Sequence, residues 1–231
     1  MRVDLQPAYV LHTRPFQDSS LLVTIFSLDY GRLTLLAKGV RNNKSHKRQL
    51  LQPFIPLNLS WQGKSSLKTL VGIDADKAVT ALHNKHLYCG FYINELLMYL
   101  LPENDSADSI FQLYEHSLSQ LMHENDLEQC LRYFEFSLLA DLGYGIDFVH
   151  DNQSGTAIMP EQHYYLEPEL GFILADNEQS KPYFLGAELL AIANHDYTRM
   201  AVRRTAKQVA RFLLDFYLQG KEIKSRDLFR S

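Results

Sequence analysis

The densest run of chemistry-bearing side chains in this 231-residue chain is cationic. Lys38-Gly39-Val40-Arg41-Asn42-Asn43-Lys44-Ser45-His46-Lys47-Arg48 holds five full positive charges and no acid. Ammonium and guanidinium groups spaced in this way meet phosphates and follow a nucleic-acid backbone without reading its sequence. A run like this also serves simply as a solvated loop. Here it lies within an already basic stretch, which favours phosphate contact. Arg14, Arg32 and Lys64 extend the candidate patch. Tyr9, Phe16, Tyr30 and Trp61 are available for base stacking, with barrel packing as the duller role of each; Trp61, near a strand end, is the first to examine.

A second cationic set lies near the C-terminus. At 100° per residue with Arg199 as zero, Arg203 falls near about 40°, Lys207 near about 80°, Arg211 near about 120° and Arg204 near about 140°. Val202, Val209, Phe212, Leu213 and Phe216 gather on the other side. One helix face is apolar and the opposite one is basic. Within the segment only Asp215, one turn beyond Arg211, is placed to neutralise it. Such mutual repulsion points to an anionic partner, either nucleic acid or an acidic peptide tail.

Catalytic signatures are missing from the sequence. Its nine histidines form no HExxH or HxHxD pattern, and there is no Walker sequence, no GxSxG and no GxGxxG opening a helix. Gly143-Tyr144-Gly145 follows a helical segment and therefore terminates it. Cys89 and Cys130 are far apart with no CxxC, which suits two reduced thiols in helices. The reading is a non-enzyme with no cofactor and no metal. No signal peptide opens the chain and no apolar run approaches a membrane span, so a cytoplasmic protein without a membrane partner is expected.

These residues need elements to hold them. Residues 1–80 read as β-rich, with short β-branched or aromatic runs at Ala8–Arg14, Leu21–Leu28, Arg32–Lys38, Phe54–Trp61 and Leu67–Ala75. Five short strands fit a small closed barrel, and the count alone leaves OB-fold and SH3-like barrels open. From Lys85 the period becomes helical: Leu87–Leu101, Ser106–Met122 behind Asn104-Asp105, and Asp126–Leu142 before Gly143. An irregular stretch follows, with a hairpin expected at Tyr164–Leu166 and Gly171–Leu174; then come helices at Leu185–Asn194 and from Thr198 to Leu218. The fold class is α+β and multidomain: a barrel over 1–80 and a helical domain over 81–231 with an insertion at about 147–181. Charge follows the same plan. Residues 1–80 carry eleven Lys/Arg against five Asp/Glu, residues 81–198 three against nineteen, and residues 199–231 nine against three. The formal net charge of −4 hides two basic blocks around an acidic one.

Four segments together resemble one family. They are Ala8-Tyr9-Val10-Leu11-His12-Thr13-Arg14-Pro15-Phe16 with Asp18-Ser19-Ser20; Lys38-Gly39…Arg41…Lys44-Ser45 with Leu51-Gln52-Pro53-Phe54; Leu142-Gly143-Tyr144-Gly145-Ile146-Asp147-Phe148; and Gly220-Lys221-Glu222-Ile223-Lys224-Ser225-Arg226-Asp227-Leu228-Phe229. In order and spacing they look like the bacterial recombination mediators of the RecO family, from about residue 5 to the C-terminus. The resemblance implies an N-terminal OB-fold, a helical C-terminal domain, and binding and annealing of single- and double-stranded DNA. It also implies partnership with RecR and with single-stranded DNA-binding protein, a functional link to RecA, and a place in the cytoplasm at the nucleoid. Many members carry a four-cysteine zinc element after the Leu-Gly-Tyr segment. This chain has Phe148-Val149-His150-Asp151-Asn152-Gln153-Ser154-Gly155 there and no cysteine, so its insertion is expected to hold by packing through Tyr164, Tyr165 and Phe172.

On this reading Lys38, Arg41, Lys44, Lys47 and Arg48 hold DNA non-specifically, aided by Arg14, Arg32 and Lys64. The acidic, apolar-ended tail of single-stranded DNA-binding protein calls for an apolar pocket rimmed by cations. Arg132 with Phe136 one turn on, together with Arg199, Arg203, Arg204, Lys207 and Arg211, forms the candidate surface for that tail or for DNA. A structural ion pair between Arg132 and Glu128 is the competing role. The alternatives in other classes are a generic OB-fold nucleic-acid binder and a protein-interaction scaffold.

Overall fold

A computed structural model describes residues 2–41, 46–75, 81–124, 126–175 and 182–229. The chain forms two compact units, one of residues 1–125 and 223–231 and one of residues 126–222. Among the described residues no helix is long and apolar enough to cross a membrane.

In the first unit, β1 (Arg2–Phe16), β2 (Ser20–Ser27), β3 (Gly31–Ala37), β4 (Leu57–Gln62) and β5 (Lys68–Asp74) close into a barrel in the order β1-β2-β3-β5-β4. The β3–β5 pairing is parallel, and a short helix α1 (His46–Leu50) lies between β3 and β4. This is the OB-fold arrangement, and it resolves the choice that the strand count left open. Alternation explains the core: Leu21, Val23 and Ile25 of β2 and Leu33, Leu35 and Ala37 of β3 turn inward with Val10, Leu57, Leu59 and Trp61. The outward side is not all solvent. Phe26 is buried between Phe111 and Tyr114, with ring centroids 5.3 and 6.3 Å away.

Those two aromatics belong to α3 (Asp108–His123), which pairs with α2 (Asn84–Leu100) against the barrel. A bulge between Val10 and His12 breaks the β1–β2 register at Leu11, whose carbonyl turns to α2. The buried Asn94 side chain of α2 donates to it at 3.0 Å and accepts from the Tyr114 hydroxyl at 2.7 Å. Burial, with the neighbouring Tyr9 phenol, holds the Tyr114 phenol well above its ordinary pKa, so it stays a neutral donor. A 3-10 turn (Lys224–Phe229) returns to this unit, where the Glu95 carboxylate accepts the backbone N–H groups of Lys224 and Ser225.

The second unit holds α4 (Leu127–Asp141), a small sheet of β6 (His163–Glu167), β7 (Gly171–Leu174) and β8 (Phe184–Leu185) in the order β7-β6-β8, α5 (Gly186–Ala193) and α6 (Met200–Tyr217). The α4 helix starts with the Asp126 side chain accepting from Gln129 N–H. It ends at Gly143, φ +83°, where Gly143 N–H reaches Ala140 O and Tyr144 N–H reaches Leu139 O. The expected hairpin is β6 with β7, and β8 adds an edge strand on the far side of β6. Tyr164, Tyr165 and Phe172 are buried, and Phe172 packs on Phe148 and Phe184. Cys89 on α2 and Cys130 on α4 are buried and form no disulfide.

Candidate nucleic-acid interface

The segment after β3 sorts its side chains by chemistry. Val40 and Leu51 are buried in the barrel core and Leu50 packs against it. Lys38, Arg41, Lys47 and Arg48 are left exposed. Lys44 lies outside the described residues. The basic run is therefore not a free loop throughout: its end is α1, and its apolar residues plug the barrel, fixing which way the cations face.

Strand register brings Arg14 to the same end. Arg14 pairs with Leu22, Leu22 with Leu36, and Leu21 with Ala37, the residue before Lys38. Arg41 ties this end together: its backbone N–H donates to Ser19 O and its guanidinium to Gln17 O, both at 2.9 Å. Those carbonyls belong to the tight β1–β2 turn, in which Gln17 adopts φ +51°. Arg14, Lys38 and Arg41 thus gather at the β1–β2 turn, one of the loops that OB-folds commonly present to oligonucleotides. Asp18 sits in the same turn as an exposed carboxylate.

Two of the sequence-predicted barrel residues are placed elsewhere. Arg32 donates from Nε to Leu101 O at 3.0 Å and pairs with Glu103 at 3.1 Å, with its side chain only 15% exposed. The 101–105 segment covers this end of β3: Asn104 N–H donates to Arg32 O, and a Cβ on Gly31 would collide with Asp105 O. Arg32 is a bond between barrel and helices. Lys64 precedes Lys68, which sits beside Leu35 in the parallel β3–β5 pair, so its loop projects toward the Gly31 end and away from Lys38. Trp61 takes the packing role and not the stacking one. Its ring is wholly buried in the barrel, edge-on to Tyr30 at 5.3 Å. Tyr9 is buried too, under Phe111 and Tyr114. Of the four aromatics, half-buried Phe16 is the one beside the β1–β2 turn, opposite Ser20.

The α6 face differs from its sequence reading. Arg203 pairs with Asp126 at 2.6 Å and donates to Tyr197 O at 2.6 Å. Lys207 pairs with Glu128 at 2.9 Å. Neutralising acids thus come from the start of α4, about eighty residues away in sequence. Arg199 reaches Ala187 O at 3.3 Å, while Arg204 and Arg211 are exposed. Arg132 is buried, and its guanidinium grips the Glu135 carboxylate with two hydrogen bonds of 2.6 Å. The carboxylate it grips is Glu135, one turn on, while Glu128 pairs with Lys207. Phe136 does border an apolar groove of about 250 Å³, walled also by Phe148, Ile192, Tyr197 and Leu213 with His195 at hand. Arg132 is not among the residues lining it.

The geometry has relatives. The N-terminal model of the family described as Recombination protein O matches residues 1–77, and its C-terminal model matches residues 85–227. The chain belongs to the RecO family. The DNA repair protein RecO of Cellvibrio japonicus is 47% identical over 99% of this chain and 98% of its own length. Those of Nitrosococcus oceani and Haemophilus influenzae are each 42% identical over 99% of this chain, covering 93% and 97% of their own lengths. The break between the two RecO models falls where strands give way to helices, whereas compactness groups α2 and α3 with the barrel. In this RecO-family chain the sequence reading missed the acidic partners of α6, and a signal for them was present. Asp126 and Glu128 open a helix whose neighbour along the bundle is basic, yet nothing local said which helices would meet.

Proposed function

We propose that this chain is a recombination mediator of DNA repair and not an enzyme. It binds single- and double-stranded DNA on the barrel, anneals complementary strands coated by single-stranded DNA-binding protein, and with RecR helps to load RecA at the nucleoid. The observation that carries the reading is that Val40, Leu50 and Leu51 turn inward and leave Lys38, Arg41, Lys47 and Arg48 exposed, with Lys38 and Arg41 at the same barrel end as Arg14. Exposed cations that outnumber the nearby carboxylate of Asp18 neutralise phosphates and release their counterions, so two strands can share the surface without their full repulsion. Membership of a family whose relatives are named DNA repair proteins supports the same reading.

The second surface serves the acidic tail of single-stranded DNA-binding protein. The apolar groove bordered by Phe136 and Tyr197 accepts the apolar end of the tail, and Arg199, Arg203, Arg204, Lys207 and Arg211 on α6 meet its acids. Arg203 is bonded to the backbone of Tyr197, which joins rim to groove.

The test is annealing of complementary strands precoated with the cognate single-stranded DNA-binding protein. Acceleration is expected, and it disappears when Lys38, Arg41, Lys44, Lys47 and Arg48 become Ala. Acceleration on bare strands only would leave a generic nucleic-acid binder, and none on either would leave a protein-interaction scaffold.

A further inference from the structure

The insertion at the position of the family's zinc element is organised by one carboxylate. Asp151 is 3% exposed. Its Oδ1 accepts the backbone N–H groups of Gln153 and Ser154, each at 2.8 Å. Its Oδ2 accepts the N–H of Leu174, at 2.7 Å, from the end of β7. One side chain thus folds its own turn and pins that turn to a strand twenty-three residues further on. The surrounding backbone follows suit: Asp151 N–H donates to Thr156 O, Asn152 N–H to Phe172 O and Ile158 N–H to Val149 O. Asp147 makes a smaller version, accepting from Val149 N–H at 2.7 Å and His150 N–H at 3.3 Å, with His150 Nδ1 2.7 Å from its other oxygen.

The donor set does not fit zinc. Structural zinc is held by four thiolates or imidazoles in a tetrahedron. The insertion has no cysteine, and the two cysteines of the chain sit on α2 and α4. Among the described residues no group of three or more His, Cys, Asp and Glu is placed to hold a metal ion. Both oxygens of Asp151 already face N–H donors, so a cation there would meet amide hydrogens and would have to expel them.

We infer that the Asp151 carboxylate stands where a metal ion would otherwise knit this insertion, and that the loop folds on it without metal. A buried anion bonded to three backbone donors supplies the directional, multi-point anchoring that a short loop with little core needs. Asn152 adds to it: its side chain bonds Leu170 O and lies where a Cβ on Gly171, φ +90°, would collide with it. The order of this insertion is accordingly indifferent to chelators and thiol oxidants.

The test is residue-resolved amide hydrogen exchange on the full chain, with metal content measured on the same sample. Protection of Gln153, Ser154 and Leu174 is expected to be unchanged by excess EDTA or phenanthroline. Asp151→Asn keeps one acceptor oxygen and turns an amide nitrogen toward the other side of the site, so exchange rises by about tenfold or more either at Leu174 or at Gln153 and Ser154, whichever faces the nitrogen. Asp151→Ala exposes all three amides. Barrel amides of Val23 and Ile25 serve as the internal standard and stay constant, which separates local release from failure to fold. Stoichiometric zinc whose removal speeds exchange at these amides would overturn the inference. So would an Asp151→Asn protein in which Gln153, Ser154 and Leu174 all stay protected.

Discussion

Two basic regions of this molecule look alike as sequence and differ as structure. The run from Lys38 to Arg48 and the helix from Arg199 to Arg211 each offer five cations with few local acids. On the barrel, apolar residues inside the run turn into the core, and the described cations Lys38, Arg41, Lys47 and Arg48 all stay exposed. On α6, Arg203 and Lys207 meet Asp126 and Glu128. Exposed pairs of this kind add only about 0–1 kcal/mol of stability each. Their larger effect is to cancel field that would otherwise reach a partner. Local charge thus says what a segment is able to attract, and contacts from distant sequence decide how much of that attraction remains.

The sharpest break in the comparison lies at Arg132, the cation that sequence grouped with α6. It is buried at 7% exposure against Glu135 at 1%. Arg132→Ala leaves a buried carboxylate without its guanidinium and should cost about 3–5 kcal/mol in urea unfolding. Replacing both partners by apolar residues of similar volume, Arg132→Met with Glu135→Leu, should restore most of that loss. A mild single variant would return Arg132 to the list of partner contacts. Next in size is the barrel. Changing Lys38, Arg41, Lys47 and Arg48 together to Ala should weaken single-strand binding by about a hundredfold near 0.1 M salt. It should also flatten the log K against log salt slope by about 3. The matching change of Arg203 and Lys207 on α6 should move DNA affinity by less than about threefold, because those charges are already paired.

What could be read ahead of the structure follows the same division. Periodicity located the five barrel strands, the hairpin and the five longer helices, and Gly143 marked the end of α4, because these depend on nearest neighbours; α1, within a run read as a loop, and the two-residue β8 were missed. Helix α3 begins at Asp108 rather than Ser106, although Asn104 and Asp105 are good capping residues. Asn104 instead gives its N–H to Arg32 O, and Asp105 packs on Gly31. A tertiary contact took the caps. Trp61 looked available because it lies near a strand end, yet the β2–β3 turn brings Tyr30 over it inside a closed barrel. Arg132 had acids at spacings of three and four, and spacing alone did not choose Glu135 over Glu128. For the α3 start and for Trp61 the undetermined part was the identity of a neighbour remote in sequence; for Arg132 it was which of two local acids the guanidinium meets.

The acids that quiet α6 give a smaller, opposite test. Asp126→Ala with Glu128→Ala frees Arg203 and Lys207, so affinity for an acidic, apolar-ended tail peptide should rise by about two- to fivefold. The Asp126 change also removes the α4 cap at Gln129 N–H, at about 1 kcal/mol of stability. Asp126→Asn retains a capping oxygen while removing the charge, and therefore separates the two effects. An unchanged peptide affinity in both proteins would mean that the tail does not use this face.

The smallest expected effect separates two cations on one barrel. Arg14 lies with Lys38 and Arg41 at the β1–β2 turn, whereas the parallel β3–β5 pairing sends Lys64 toward the opposite end, where the 101–105 segment covers β3. Both are exposed and both carry one charge, so their long-range contribution to the field is similar. A direct phosphate contact is different: each one released takes about 0.7 from the single-strand salt slope. Arg14→Ala should therefore lower the slope by about that amount, while Lys64→Ala leaves it unchanged and shifts affinity by less than about twofold. Equal losses for the two variants would show that the strand crosses the whole barrel face and would erase the polarity that the register implies.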